Sequence, residues 1–301
     1  MQRCRSVENF TKLFKIEEGT YGVVYKAKDK VTGEIVALKM LKLDREEEGF
    51  PITALREIHT LKRCKHKNIV DLREVVVGKD RKSIFIVMEY VDTDLKTLLL
   101  QRKSASFSIK EIKLMMKQIL EAAYEMHSNW IIHRDLKATN LLVTSNGEIK
   151  VADFGLARNF GSPLGSMTPL VVTLWYRSPE LLLGQQKYSS AVDMWSIGCI
   201  FAELILNVPL FAGKSEIDQI SKIIQTLGTP NEQIWPGYTK LPHSKMISIQ
   251  QPYSYLKEKC KRIDEIGFDL LNKLLTYCPE KRITAEQALQ HEFFNEIPTE
   301  C

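Results

Sequence analysis

His133-Arg134-Asp135-Leu136-Lys137-Ala138-Thr139-Asn140, followed by Asp153-Phe154-Gly155 and then by Ser178-Pro179-Glu180, is the stretch on which the reading of this 301-residue chain turns. Between the first two motifs, Leu141-Leu142-Val143 and Ile149-Lys150-Val151 flank Ser145-Asn146-Gly147, the pattern of two short strands joined by a turn. Such a hairpin brings Asn140 and Asp153 to one end of the same small sheet. Turn chemistry by itself accounts for an Asp, an Asn and another Asp. It does not account for Arg134, Lys137, Phe154 and Pro179 arriving with them in that order, so a site assembled from three successive motifs is the stronger reading.

The length fits one large or two medium domains with ample material for a core. Hydrophobic residues at 44% and charged residues at 26% are ordinary for a soluble globular protein. There is no uncharged apolar run of about eighteen residues, so no transmembrane helix is expected. Met1-Gln2-Arg3-Cys4-Arg5 lacks the apolar segment of a signal peptide, and an intracellular protein is expected. The six cysteines are scattered, with no CxxC pair and no histidine at metal-ligand spacing, and read as reduced thiols. The net charge of +5 resides in the first ninety residues, which hold nineteen Lys/Arg against fourteen Asp/Glu, leaving 23 against 23 in the rest. The basic run Lys62-Arg63-Cys64-Lys65-His66-Lys67 lacks interleaved aromatics; it reads as solvated surface, and direct nucleic-acid binding is not expected.

Residues 13–43 alternate in short runs broken by turn residues: Leu13 to Ile16, Gly22 to Ala27, and Ile35 to Leu41 after Thr32-Gly33. This predicts a β-meander. A glycine-containing segment, Glu17-Glu18-Gly19-Thr20-Tyr21-Gly22-Val23-Val24, joins its first two strands. Pro51 opens a helix whose Ile52, Leu55, Ile58 and Leu61 lie at helical spacing, with Glu57 on the same broad side. A carboxylate on that side needs a partner, and Lys39 of the third strand is the candidate. Residues 69–77 and 83–88 predict two more strands, after which Glu89-Tyr90-Val91 leads into helical sequence. From Ile109 onward Ile112, Met115, Met116, Ile119, Leu120, Tyr124 and Met126 form one helix face, and residues 191–206, 215–227, 266–276 and 285–290 read likewise. The change from strands to helices predicts an α+β protein with a β-rich part at 1–88 and a helical part at 89–301.

The three ordered motifs resemble the catalytic loop, metal-binding triplet and activation-segment end of the protein kinases, and Val36-Ala37-Leu38-Lys39 resembles their third-strand lysine. The resemblance runs from Gly19 to Arg282. It implies the two-lobed protein kinase fold and phosphoryl transfer from ATP with Mg²⁺, a reaction that asks mainly for positioning and charge neutralisation. In that scheme Asp135 takes the hydroxyl proton, Lys137 steadies the γ-phosphate, Lys39 and Glu57 position the phosphates, and Asn140 and Asp153 supply the oxygens that hard Mg²⁺ prefers. ATP is expected along Ile16, Glu17, Gly19, Gly22, Val24, Ala37, Lys39, Met88, Glu89, Val91, Asp94, Asn140, Leu142 and Asp153. The loop departs from GxGxxG, because Glu17 replaces the first glycine.

Lys137 looks like the serine/threonine class. Pro51-Ile52-Thr53-Ala54-Leu55-Arg56-Glu57 is similar to the helix that a cyclin grips in cyclin-dependent kinases, and differs by one residue, Ala54 in place of Ser, from the PITSLRE form. Lys214 to Ile220, Ile234 to Tyr238 and Glu17 itself are also similar to that branch. The resemblance implies a cyclin partner, of L type, protein substrates with Ser/Thr-Pro, a nuclear or cytoplasmic setting, and a role in transcription, RNA processing or the cell cycle. It places an activating phosphorylation at Thr168, with Arg56, Arg134 and Arg158 converging on it, and inhibitory phosphorylation at Thr20 and Tyr21. Glu180 and Arg282 are expected to form a buried ion pair. The alternative is a pseudokinase scaffold that binds a cyclin-like partner without catalysis; the intact Lys39, Asp135, Asn140 and Asp153 argue against it.

Overall fold

The computed structural model describes residues 4–19, 22–41, 52–78, 83–102, 105–159, 174–247 and 249–295. Strands β1 (Phe10–Gly19), β2 (Gly22–Asp29) and β3 (Ile35–Leu41) form the expected antiparallel meander. Helix α1 (Ile52–Arg63) follows, then β4 (Leu72–Val77) and β5 (Ile84–Glu89), which complete a five-stranded sheet in the order β1-β2-β3-β5-β4. Strand alternation sorts the side chains. Ala27, Val36, Leu38, Phe85 and Val87 pack with Phe10 and Val76 on one face. Val24, Lys26, Ala37, Lys39, Ile86 and Met88 therefore stand on the other. Gly22 is required where β2 begins, since a Cβ there would collide with the Met40 carbonyl oxygen of β3.

Two sequence expectations shift in this part of the chain. The apolar Ile69 and Val70 do not extend β4. Ile69 makes an isolated bridge to Val151, Val70 N–H donates to the Val151 carbonyl at 3.0 Å, and Val151 N–H donates to Asn68 at 2.9 Å. These residues fasten the sheet to the hairpin instead. On α1, Leu61 is buried but Leu55 is 50% exposed, because the helix packs against β4 and the turn at Phe154–Leu156 and leaves Leu55 facing outward.

After residue 90 come β6 (Thr93–Asp94), α2 (Leu95–Arg102), α3 (Ile109–Ser128), β7 (Ile131–Ile132), β8 (Leu141–Val143), β9 (Ile149–Val151), β10 (Arg158–Asn159), α4 (Pro179–Leu182), α5 (Ala191–Leu206), α6 (Glu216–Leu227), α7 (Leu256–Lys259), α8 (Glu265–Leu274) and α9 (Ala285–Leu289). Ser108 and Glu111 close a capping box at the start of α3, whose Ile112, Met115, Met116, Ile119, Leu120 and Met126 are buried as the spacing predicts. Tyr124 sits off that stripe and is exposed. Helix α5 is apolar around most of its circumference and buried almost throughout, the pattern of a helix at the centre of a core. That core reaches upward to Leu61, Cys64 and Ile69 beneath α1. Among the described residues no helix is long and apolar enough to cross a membrane.

Candidate active site

The β8–β9 hairpin, in the register Leu141↔Val151, carries Asn140 and Asp153 at its open end, where Ala152 N–H donates to the Asn140 carbonyl at 2.9 Å. Asn140 donates its amide to the Asp135 carbonyl (2.8 Å) and carboxylate (3.1 Å), and the Lys137 ammonium reaches the same carboxylate at 2.8 Å. Because the Asn140 nitrogen is committed to Asp135, its oxygen is the end left to ligate. The buried His133 ring orders the loop from beneath. Its Nε2 faces the Ala152 carbonyl at 3.0 Å and must be the protonated nitrogen, which leaves Nδ1 to accept Asp135 N–H at 3.3 Å.

Arg134 and Asp153 both adopt the left-handed backbone region, at φ 70° and 62°, which is costly for residues other than glycine. Asp193 of α5 holds the first. Its fully buried carboxylate accepts His133 N–H at 2.9 Å and Arg134 N–H at 2.8 Å, and meets His127 Nε2 at 3.0 Å. Burial works to raise the Asp193 pKa, but the His127 contact and the backbone donors outweigh it and hold the carboxyl below the usual range. Phe154 holds the second: its ring is buried against His133, 4.9 Å between centroids, while Asp153 beside it keeps a side chain 44% exposed.

Lys39 joins the two halves. Its ammonium lies 2.7 and 2.9 Å from the Glu57 oxygens and 3.3 Å from Asp153 Oδ1. Burial opposes the charge on Lys39, but Glu57 and Asp153 more than offset it and raise its pKa above the ordinary value. Burial pushes the Glu57 carboxyl upward, with Lys39 pulling the other way. The Asp153 carboxyl is likewise opposed by burial, yet the Lys39 ammonium holds it low.

Of the other expected nucleotide contacts, Val24, Ala37 and Met88 lie on one face of the sheet, linked by the pairs Val24↔Lys39, Ala37↔Met88 and Lys39↔Ile86. Ile16 and Glu17 are exposed on β1, Gly19 pairs with Gly22, and Val91 and Leu142 are half-buried. Glu89 turns its carboxylate to Asp71 N–H and Lys150. Asp94 caps α2, accepting Thr97 N–H at 2.9 Å and the Thr97 hydroxyl at 2.6 Å.

Arg134 donates to the Leu156 carbonyl (2.6 Å) and the Tyr188 hydroxyl (2.7 Å), and Arg158 donates to the Ala157 carbonyl (3.3 Å). Arg56 is half-buried on α1, the helix that packs on this same turn. The three arginines thus belong to elements that meet around residues 154–158. Thr20, Tyr21, Pro51 and Thr168 lie outside the described residues. The Glu180–Arg282 pair is present and buried, with bonds of 2.8 and 3.0 Å.

Sequence reasoning passed over Asp193, and with it Glu203, which is buried on the same helix and accepts from Lys96 (3.2 Å) and the Tyr176 hydroxyl (2.5 Å). A signal was present. Two carboxylates in an otherwise apolar helix must find partners if the helix is buried.

The geometry agrees with comparison to known proteins. The family model for the protein kinase domain matches residues 10–294. Cyclin-dependent kinase G-2 of Oryza sativa subsp. indica is 56% identical over 306 residues, covering 99% of this chain and 43% of the relative. Cyclin-dependent kinase 11B of Homo sapiens is 57% identical over 300 residues, covering 99% of this chain and 38% of the relative. Serine/threonine-protein kinase PITSLRE of Drosophila melanogaster is 54% identical over 307 residues, covering 99% and 32%. The chain belongs to the protein kinase family, and within it to the cyclin-dependent, PITSLRE-type branch. It spans less than half the length of these three relatives.

Proposed function

We propose that the chain is a cyclin-dependent protein kinase that transfers the γ-phosphate of ATP to Ser or Thr hydroxyls followed by proline. The observation that carries this is the assembly, at one cleft, of Lys39, Glu57 and Asp153 on one side and Asp135, Lys137 and Asn140 on the other. The donor set suits the cofactor. Asn140 and Asp153 offer two hard oxygen ligands at the open end of the β8–β9 hairpin. That is the pattern for Mg²⁺, which completes its shell with substrate phosphates and water. When bound, Mg·ATP supplies the phosphoryl group and the charge that neutralises it. Asp135 accepts the proton of the substrate hydroxyl, and Lys137, 2.8 Å from it, balances charge there. Lys39, held by Glu57, orients the phosphates. Ile16, Glu17, Gly19, Gly22, Val24, Ala37, Met88, Glu89, Val91, Asp94 and Leu142 form the nucleotide's surroundings, with the lobe boundary between 88 and 89.

Glu57 connects chemistry to a partner. Its helix α1 turns Leu55 outward, a surface on which a cyclin, of L type as the sequence resemblance implies, would dock and bias the helix toward the Lys39 contact. Phosphorylation of Thr168 would add roughly −1.5 to −2 charge beside Arg56, Arg134 and Arg158 and relieve their mutual repulsion. Thr20 and Tyr21 are the proposed inhibitory sites. The setting is nuclear or cytoplasmic.

The test is phosphate transfer to a Ser-Pro peptide by the chain alone, with a cyclin, and with a cyclin plus Asp135→Asn. Activity that needs the cyclin and is abolished by the substitution is the expected result. A chain that binds cyclin yet transfers no phosphate under any condition is a scaffold, and the reading is wrong.

A further inference from the structure

We propose that Lys26 is a positioning residue that clasps the outer mouth of the cleft to the linker at Tyr90 and Asp92, and that this clasp sets the rate at which nucleotide leaves. The inference rests on the nucleotide-binding reading above. Lys26 stands on the cleft face of the sheet, two residues beyond Val24 and in register with Ala37, which is itself in register with Met88. Its ammonium lies 4.1 Å from the centre of the Tyr90 ring, 5.6 Å from the Phe14 ring and 3.6 Å from the Asp92 carboxylate. Phe14 is its cross-strand neighbour on β1. One side chain of the sheet thus gathers the strand beside it and the segment that joins the two lobes.

The linker is fastened at two places of different character. On the Glu89 side, the Glu89 carboxylate accepts Asp71 N–H at 2.7 Å and pairs with Lys150 at 3.1 Å, the two side chains 17% and 15% exposed. Nearby, Asn68 and Val70 bond to the β9 strand through backbone groups. These contacts are shielded from water and form a pivot. On the Tyr90–Asp92 side, Asp92 is 73% exposed, so its pairing with Lys26 is screened by salt and easily released. Opening of the cleft therefore pivots about Glu89 and is resisted at Lys26. A cation–π contact and an exposed ion pair together correspond to about a three- to ten-fold change in the opening equilibrium.

Release of a fluorescent ADP analogue is measured by stopped flow from the wild-type chain, Lys26→Met and Lys26→Arg, at low and high salt. Amide hydrogen exchange of Tyr90 to Asp94 is followed in the nucleotide-free proteins. Lys26→Met is expected to release the analogue about three- to ten-fold faster at low salt and to exchange faster at the linker. Lys26→Arg, which keeps a cation able to lie over the Tyr90 ring, stays within about two-fold of wild type. High salt accelerates the wild type more than it accelerates Lys26→Met, because only the wild type loses the Asp92 pairing as well. If wild type and Lys26→Met release and exchange alike, or if Arg fails to rescue, the clasp does not exist. A wild-type chain that retains no nucleotide overturns the nucleotide-binding reading instead, and the exchange rates then judge the linker contact alone.

Discussion

Two buried ion pairs divide the molecule by purpose. Arg282 in the helical lobe spends all five of its donors: two on Glu180, and one each on the carbonyls of Ala191, Tyr277 and Thr276. Both side chains are shut off from water, and the guanidinium also lies 5.1 Å from the Trp195 ring centre. Lys39 has an equally short bond to its glutamate, but the pair joins a strand to α1, and its third bond goes at 3.3 Å to Asp153, whose side chain is 44% exposed. A buried charge with every donor satisfied and no element free to move is an anchor. A buried charge whose last partner is half in water can exchange that partner for a phosphate.

Breaking the cleft pair should cost chemistry, and breaking the anchor should cost the fold. Asp153→Asn is expected to lower turnover at least about 100-fold while leaving the melting temperature nearly unchanged, since it removes one charge at constant volume. Peptide phosphorylation and thermal melting of the same preparation decide it; near-normal turnover would end the assignment. Arg282→Met leaves Glu180 buried without its partner and should destabilise the chain by about 3–5 kcal/mol, read from denaturant unfolding. The activity that remains should follow the folded fraction, and a stable but inactive variant would contradict the contrast.

Asp193→Asn sharpens the comparison because that carboxylate serves both purposes. The substitution should cost about 1–3 kcal/mol, as an acceptor facing the two backbone donors is lost, and should reduce turnover by misplacing the loop. Its pH dependence has a definite sign. A carboxyl held below its unfolded value contributes stability that is complete above about pH 4 and disappears as pH falls through the lower folded value. The acid-side loss of wild-type stability should therefore be shallower in Asp193→Asn, and identical pH profiles would refute the role. The smallest effect belongs to Leu55→Ala on the outward side of α1. Stability should change by less than about 0.5 kcal/mol, while cyclin affinity by titration calorimetry falls. Unaltered affinity would remove Leu55 from the docking surface.

The sequence by itself determined the α+β division, the meander, the hairpin between Asn140 and Asp153 and the apolar stripe of α3, and it named Lys39 and Glu57 as partners. These depend on local periodicity, turn residues and motif order, all readable over short spans of chain. It also paired Glu180 with Arg282, through resemblance. Tertiary structure alone decided that Ile69 and Val70 fasten the sheet to the hairpin, that Leu55 leaves the apolar stripe for solvent, and that Lys26 spans to Tyr90 and Asp92. It also decided that Asp193, 60 residues beyond His133, holds the His133–Arg134 segment in its left-handed turn. The physical reason is common to all four. Whether a side chain packs, faces water or meets a distant donor depends on which elements the core brings together, and a single element's sequence pattern carries no record of its neighbours.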